Sequence, residues 1–213
     1  MNDLMDAVKN VEKMNVQEDK DPNTLHFNSL IQESGKLKIF QFSDSILVIT
    51  ADDSDSSQAL IQIASLAIFM HGLQNKLLFR GAIACGEVVA DLDKSIFFGN
   101  PIIDAYFLEE AQKWFGISIH HSAELHPKDR RTAKQITEDD VPFTTGYSVP
   151  LKNNQTEDLS VINWASAAKT LGYNMEEFFQ DYCSSISESE QTKINEYIKN
   201  SLDFFNYVVE KNT

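Results

Sequence analysis

Residues 40–50, FQFSDSILVIT, decide the fold that we expect, because two strand-like runs flank one polar break. The run before the break alternates and ends apolar at Phe42, and the run after it, ILVIT, is β-branched and apolar. Ser43 and Asp44 are the main break between the runs, and a loop of two residues is typical of a β-hairpin. The sequence therefore predicts a hairpin with a carboxylate at its tip.

A second hairpin is predicted in residues 77–100, LLFRGAIACGEVVADLDKSIFFGN. Two strand-like runs, 77–90 and 95–98, flank an acidic turn at 91–93. Between the two hairpins, residues 58–73 form a mostly apolar helix that we expect to be buried on most of its faces. The pattern indicates a β-sheet whose loops hold the functional residues.

The remaining chain alternates helical and strand-like patterns, so we predict an α/β layered domain over residues 1–165 and a C-terminal helical extension over 166–213. The N-terminal segment has apolar residues at helical spacing, which predicts an amphipathic helix; they are Leu4, Met5, Val8, Val11 and Met14. The other predicted elements are a helix at 102–114, strands at 115–121, 147–152 and 159–165, and helices from about residue 165 onward.

Composition and charge restrict the classes of partner. With 213 residues, 42% hydrophobic and 23% charged, the chain has the make-up of a soluble globular domain with a real core. The formal net charge of −14 argues against nucleic acid or an anionic membrane as partner, because both would be repelled over most of the surface. A small anionic substrate would need a metal ion.

The sequence favours a cytoplasmic protein. Its first ten residues are charged and hold no apolar run, so no signal peptide is predicted, and no segment approaches the roughly 20 apolar residues of a membrane span. Cys85 and Cys183 form no CxxC pair, so neither a disulfide nor a zinc site is expected.

Three motifs, in this order, resemble those of the class III nucleotide cyclase homology domain. They are FSDS in the first hairpin, RGAIACGE after one helix, and FFGNPIIDAYFLEEA. The resemblance covers roughly residues 36–164 and is greatest to the small bacterial cyclases that make cyclic pyrimidine nucleotides in the Pycsar anti-phage response. It implies a ferredoxin-like, antiparallel sheet flanked by helices, and a homodimer that composes each site from two subunits.

The resemblance also implies a reaction. The ribose 3′-hydroxyl of a nucleoside triphosphate, here UTP or CTP, attacks its own α-phosphorus, and pyrophosphate leaves. Family members hold two Mg²⁺ or Mn²⁺ ions between two aspartates, of which Asp44 matches the second, so Asp44 is the expected metal ligand and catalytic residue. The expected substrate-binding residues are Ser43, Phe40, Gly81 and Arg80, and a guanidinium such as that of Arg80 can present a donor fork to a pyrimidine or a phosphate.

The chain departs from the family at several positions. No aspartate stands on a strand before the first helix, and Asp3 and Asp6 have helical spacing. Ile103 and Phe107 stand where purine cyclases have an asparagine and an arginine. The two base-selecting positions of purine cyclases fall on Phe40 and Ile96, so adenine and guanine selection are expected to be absent. A catalytically inactive cyclase-homology domain with a nucleotide-binding, regulatory or structural role is therefore the alternative.

Each candidate also has a structural interpretation. Asp44 suits a tight turn, Arg80 a solvated strand-end charge that pairs with some of the 32 acidic residues, and Gly81 and Gly86 a bulge. Glu87 is either a surrogate carboxylate or an outward strand residue. For the remaining candidates a structural role is expected: the acidic loop Asp52, Asp53 and Asp55 precedes a helix, His120 and His121 alternate across a strand, and Phe204, Phe205 and Tyr207 suit core or dimer packing.

Overall fold

The computed structural model describes residues 37–42, 44–91, 96–124 and 142–211, and the description below concerns these residues. The predicted N-terminal helix, Ser43 and most of the predicted acidic turn at 91–93 lie outside the described residues.

The first hairpin is present where the sequence predicts it. Strands β1 (Leu37–Phe42) and β2 (Ser45–Thr50) pair antiparallel, with a register that runs from Leu37 opposite Thr50 to Phe42 opposite Ser45. Only residues 43 and 44 separate the last pair, so the loop has two residues. The alternating and β-branched runs favour the strands because such side chains pack well on a pleated surface.

Helix α1 (Asp55–Gln74) follows and is longer than predicted. Asp52 supports its start, since one carboxylate oxygen of Asp52 accepts hydrogen bonds from the backbone N–H of Ser54 and the hydroxyl of Ser57. Gly72 lies inside the helix. A Cβ at Gly72 would lie 2.3 Å from Cε2 of Phe79, so close packing of the next segment requires the glycine.

The next stretch is two short strands rather than one long one. Residues 77–90 contain β3 (Gly81–Ile83) and the start of β4 (Val89–Asp91), which pairs antiparallel with β5 (Ile96–Phe98). The chain bends between β3 and β4 at Gly86, whose φ is +151°. A Cβ there would lie 2.8 Å from Cγ of Pro101, in the first turn of helix α2 (Asn100–Ala111), so the base of this hairpin abuts α2.

A four-stranded sheet forms the centre of the fold. It adds β6 (Ile117–Ile119), β7 (Thr144–Pro150) and β8 (Thr156–Ile162) to β3, in the order β3, β6, β8, β7. The pair β3 and β6 is parallel, and the other two pairs are antiparallel. The sheet is thus mixed where the resemblance implied antiparallel strands, because the second hairpin and α2 form a crossover that returns the chain in the same direction. The two hairpins are separate sheets.

Three helices end the described chain: α3 (Trp164–Thr170), α4 (Met175–Ser184) and α5 (Glu188–Lys211). Together with the sheets they confirm the predicted α/β class with C-terminal helices. The C-terminal helices belong to the main core. Phe204 of α5 is fully buried, and its ring lies 4.9 Å from Trp114 and 5.4 Å from Trp164, measured between centroids.

Helix α1 is long and apolar enough, by length and composition alone, to cross a membrane. More than half of it is buried, however, and it packs against the first hairpin, α3 and β8. This is the environment of a core helix in a soluble protein.

Candidate functional site

Asp44 is exposed at the tip of the first hairpin. The two-residue loop projects it beyond the last strand pair, Phe42 and Ser45, so its carboxylate is open to solvent. A carboxylate in this position is accessible to a ligand, and it also fits the ordinary role of aspartate in a tight turn. Ser43, its predicted neighbour in the site, lies outside the described residues.

Phe40 brings the first hairpin against the second. Its ring centroid lies 4.6 Å from that of Phe97 on β5, and the ring of Phe42 lies 5.5 Å from the same ring. The positions matched to the two base-selecting residues of purine cyclases, Phe40 and Ile96, therefore lie on strands in contact. Phe40 is half-buried by this packing.

Arg80 is engaged by protein groups from two other elements. Its Nη2 lies 2.8 Å from Oε1 of Glu109 and 3.5 Å from Oε1 of Glu110, both near the end of α2. The guanidinium carbon lies 5.4 Å from the centre of the Tyr197 ring on α5, a cation–π contact. Arg80 therefore pairs with acidic residues, as its structural interpretation expects, but its side chain is only 22% exposed and so is not solvated. In this arrangement it joins the start of β3 to α2 and α5.

The Arg80 guanidinium stabilises the charged form of Glu109. Burial raises the pKa of the Glu109 carboxyl above its ordinary value of 4.5, and the nearby Arg80 guanidinium acts in the opposite direction. Desolvation is the larger effect, so the carboxylate form of Glu109 is costly without a cation beside it.

Removing the Arg80 guanidinium is expected to destabilise the fold. Arg80→Ala leaves Glu109 partly buried without its cation and should lower the free energy of unfolding by about 1–3 kcal/mol at pH 7. Because folding then favours the protonated form of Glu109 still more, this deficit is largest well above the raised pKa of Glu109 and shrinks as the pH falls through that pKa. Urea unfolding at pH 7 and at pH 4 measures both.

Lys76→Ala is the matched control for this variant. Lys76 pairs with Asp181, but both side chains are more than half exposed, so the change should cost at most about 1 kcal/mol. Equal losses in the two variants would show that the Arg80 ion pairs contribute no more than a surface pair.

Sequence reasoning missed Gln112, the polar group at the centre of this region. It is fully buried just after α2, where its Nε2 donates to the backbone oxygen of Gly81 at 2.7 Å. Its Oε1 accepts from Nε1 of Trp114 at 2.8 Å and from the hydroxyl of Ser118 at 2.6 Å. The sequence places Gln112 in the predicted helix 102–114. In the structure α2 ends one residue earlier, at Ala111, and the Gln112 side chain lies in the core. No local pattern marks it.

Gly81, a predicted substrate-binding residue, is thus half-buried in the sheet. Its carbonyl is bound by Gln112, and a Cβ at Gly81 would lie 3.3 Å from Cγ1 of Ile117 on the neighbouring strand. The packing of β3 on β6 accounts for a small residue at this position.

Among the described residues, the other carboxylates and histidines form no metal-binding group with Asp44. Glu87 is exposed between β3 and β4, and Asp52 serves the start of α1. Across the described ranges, no group of three or more His, Cys, Asp or Glu side chains is placed to hold a metal ion. The described residues therefore do not complete a two-metal site with Asp44.

The prediction that His120 and His121 alternate across a strand is wrong. Strand β6 ends at Ile119, and His121 opens a short 3₁₀ turn, so the two rings lie side by side with centroids 3.8 Å apart. His120 accepts a hydrogen bond from the backbone N–H of Ser122 through Nδ1, at 3.3 Å.

Comparison of the chain with protein-family models, with curated proteins and with solved structures gives no match.

Proposed function

We propose that the chain is a nucleotide cyclase that converts a pyrimidine nucleoside triphosphate, UTP or CTP, into a 3′,5′-cyclic nucleotide and pyrophosphate. It acts in the cytoplasm as a homodimer with Mn²⁺ or Mg²⁺, as a second-messenger synthase in anti-phage defence. The observation that carries the proposal is the position of Asp44 at the exposed tip of a two-residue hairpin, in the motif FSDS.

Two further observations support it. The three motifs fall on a hairpin, then on a strand after one helix, and then on a strand and the helix that follows it, in the order that the resemblance implies. Phe40 and Ile96, which replace the base-selecting residues of purine cyclases, lie on strands that touch through Phe40 and Phe97. Apolar residues at both positions favour a base other than adenine or guanine.

In the reaction, the O3′ to α-phosphorus bond forms, the bond from the α-phosphorus to the bridging oxygen of pyrophosphate breaks, and the 3′-hydroxyl loses its proton. Asp44 is proposed to hold the divalent ion. The described residues supply one carboxylate for it, so a second would have to come from elsewhere.

The second candidate is a catalytically inactive cyclase-homology domain that binds a nucleotide or a regulatory partner. Arg80 favours it, because its guanidinium is occupied by Glu109, Glu110 and Tyr197. Ile103 and Phe107 favour it too, since both are exposed apolar side chains where purine cyclases orient the ribose and stabilise the transition state. Arg80 can read a nucleotide only if it leaves these partners.

A turnover assay distinguishes the active cyclase from the catalytically inactive domain. The purified chain is incubated separately with ATP, GTP, CTP and UTP in Mn²⁺, and cyclic nucleotide and pyrophosphate are measured by mass spectrometry and chromatography. A cyclic pyrimidine product is expected, and Asp44→Ala should reduce its formation by at least about 100-fold, because a metal ligand is lost.

Asp53→Ala is the matched control. It removes an exposed carboxylate from the nearby loop and should leave turnover within about twofold of the unmodified chain. An Asp44→Ala protein as active as wild type would remove Asp44 from the site. A folded chain that makes no product from any triphosphate would favour the inactive domain.

The molar mass of the purified chain in solution tests whether it forms a homodimer. Light scattering of the purified chain should give twice its 24.1 kDa. A monomer at the concentration of the turnover assay would contradict a site that is composed from two subunits.

A further inference from the structure

Two neighbouring histidines lie at the carboxyl ends of the parallel strands β3 and β6. His120 directly follows β6, and its backbone N–H donates to the carbonyl oxygen of Ile83, the last residue of β3, at 2.8 Å. The next turn binds the same backbone, since the N–H groups of Ala123 and Glu124 donate to the carbonyls of the two histidines. The backbone that carries both imidazoles is therefore held by hydrogen bonds on both sides.

The end of β6 places the two imidazoles side by side instead of on opposite faces of a strand. Their ring centroids are 3.8 Å apart. Two imidazoles bound to one tetrahedral ion, with metal–nitrogen bonds of about 2.0–2.1 Å, have centroids roughly 5 Å apart. The rings therefore need to separate by only about 1 Å to share an ion. His121 is exposed, so a rotation of its side chain supplies this movement.

Ser122 orients the ring of His120. Its hydroxyl oxygen lies 2.8 Å from Nδ1 of His120 and accepts a hydrogen bond from the backbone N–H of Cys85 at 3.1 Å. A hydroxyl oxygen has two acceptor lone pairs, so it can accept from both nitrogens. In the tautomer whose Nδ1–H donates to this oxygen, Nε2 of His120 keeps the lone pair that binds a metal ion.

We propose that His120 and His121 bind one divalent transition-metal ion of the zinc class through their imidazole nitrogens. Water fills the remaining positions, because the described residues hold no group of three His, Cys, Asp or Glu side chains placed for a metal. Imidazole suits Zn²⁺, Ni²⁺ and Cu²⁺, whereas Mg²⁺ and Mn²⁺ prefer oxygen ligands. The formal net charge of −14 raises the concentration of cations near the chain.

This ion differs in kind from the one that Asp44 is proposed to hold. Asp44 offers a carboxylate at the tip of the first hairpin, which suits Mg²⁺ or Mn²⁺, and the histidines offer nitrogen at the end of β6. The inference therefore goes beyond the proposed cyclase activity and does not depend on it.

Zinc titration of the full chain tests the inference. The background is Cys85→Ser, Cys183→Ser, so that no thiol competes for the ion, and binding is measured by isothermal titration calorimetry. Nitrogen NMR of the imidazole rings identifies the ligands. The ring-nitrogen signals of His120 and His121 should shift together as Zn²⁺ is added, and an equal concentration of Mg²⁺ should not reverse the shift.

The variants should separate this site from other imidazoles. His120→Ala and His121→Ala should each weaken zinc binding by at least about tenfold, because a single imidazole no longer forms a chelate. His121 is exposed, so its substitution removes a ligand with little effect on folding. His71→Ala is the matched control. It removes an imidazole from α1, where Asn75 contacts the ring, and should leave the affinity within about twofold.

Three results would overturn the inference. They are ring-nitrogen signals of His120 and His121 that do not move with zinc, a zinc affinity that His121→Ala leaves unchanged, and displacement of Zn²⁺ by an equal concentration of Mg²⁺. In each case the two rings would pack on one another without binding an ion.

Discussion

Phe204→Ala is expected to lower the free energy of unfolding by about 3–5 kcal/mol, the range measured for large aromatic truncations in cores. The Phe204 side chain is fully buried although it lies in the last helix. Its ring packs on Trp114 before β6, on Tyr147 of β7 at 4.8 Å, and on Trp164 of α3. The cavity left by the substitution would therefore lie among three separate parts of the fold.

Urea unfolding followed by both tryptophan fluorescence and far-UV circular dichroism measures this effect. The two signals should shift together, because α5 and the central sheet share one core. Leu171→Ala, at a side chain that is 61% exposed, is the control and should change stability by no more than about 0.5 kcal/mol. A transition of α5 that separates from that of the sheet would instead support an independent C-terminal extension.

Gln112→Leu is expected to cost about 3–5 kcal/mol. The substitution keeps the volume of the side chain but removes its hydrogen bonds to the Gly81 carbonyl, the Trp114 indole and the Ser118 hydroxyl. Each buried group left without a partner costs about 1–3 kcal/mol. Leucine is otherwise compatible with the apolar surroundings, so the loss measures the hydrogen bonds.

Two comparisons make this prediction specific. Gln74→Leu, at the exposed end of α1, should change the free energy of unfolding by less than about 0.5 kcal/mol. Adding Ser118→Ala to Gln112→Leu should cost less than the sum of the two single changes, because Ser118 has already lost its acceptor. Strict additivity would show that the two side chains are not coupled.

The candidate site was predictable only in part. Asp44 was placed correctly at a hairpin tip, because a two-residue polar break between strand-like runs is a local signal. The surroundings of Arg80 were not predictable. Its partners Glu109 and Tyr197 are far away in the chain, and only the packing of α2 and α5 against β3 brings them to the guanidinium.

The ends of the strands were likewise only partly predictable from the sequence. The split of residues 77–90 into β3 and β4 depends on the bend at Gly86 against Pro101, which an apolar run does not reveal. His120 and His121 were assigned to a strand from their alternation, but β6 is only as long as its pairing with β3 and β8. In both cases a tertiary contact, and not the residue pattern, ends the strand.

The sequence by itself determined the first hairpin, the buried helix α1, the helical C-terminal region and the strongly acidic character of the chain. Each depends on hydrogen bonds between near neighbours in the chain, on periodicity or on simple charge counting. Only the tertiary structure decided that Gln112 lies in the core, that Arg80 joins three elements, and that α5 completes the core instead of extending from it. Those results depend on contacts between residues 29 or more positions apart, such as Gln112 with Gly81 and Arg80 with Glu109, whose free energy no local pattern encodes.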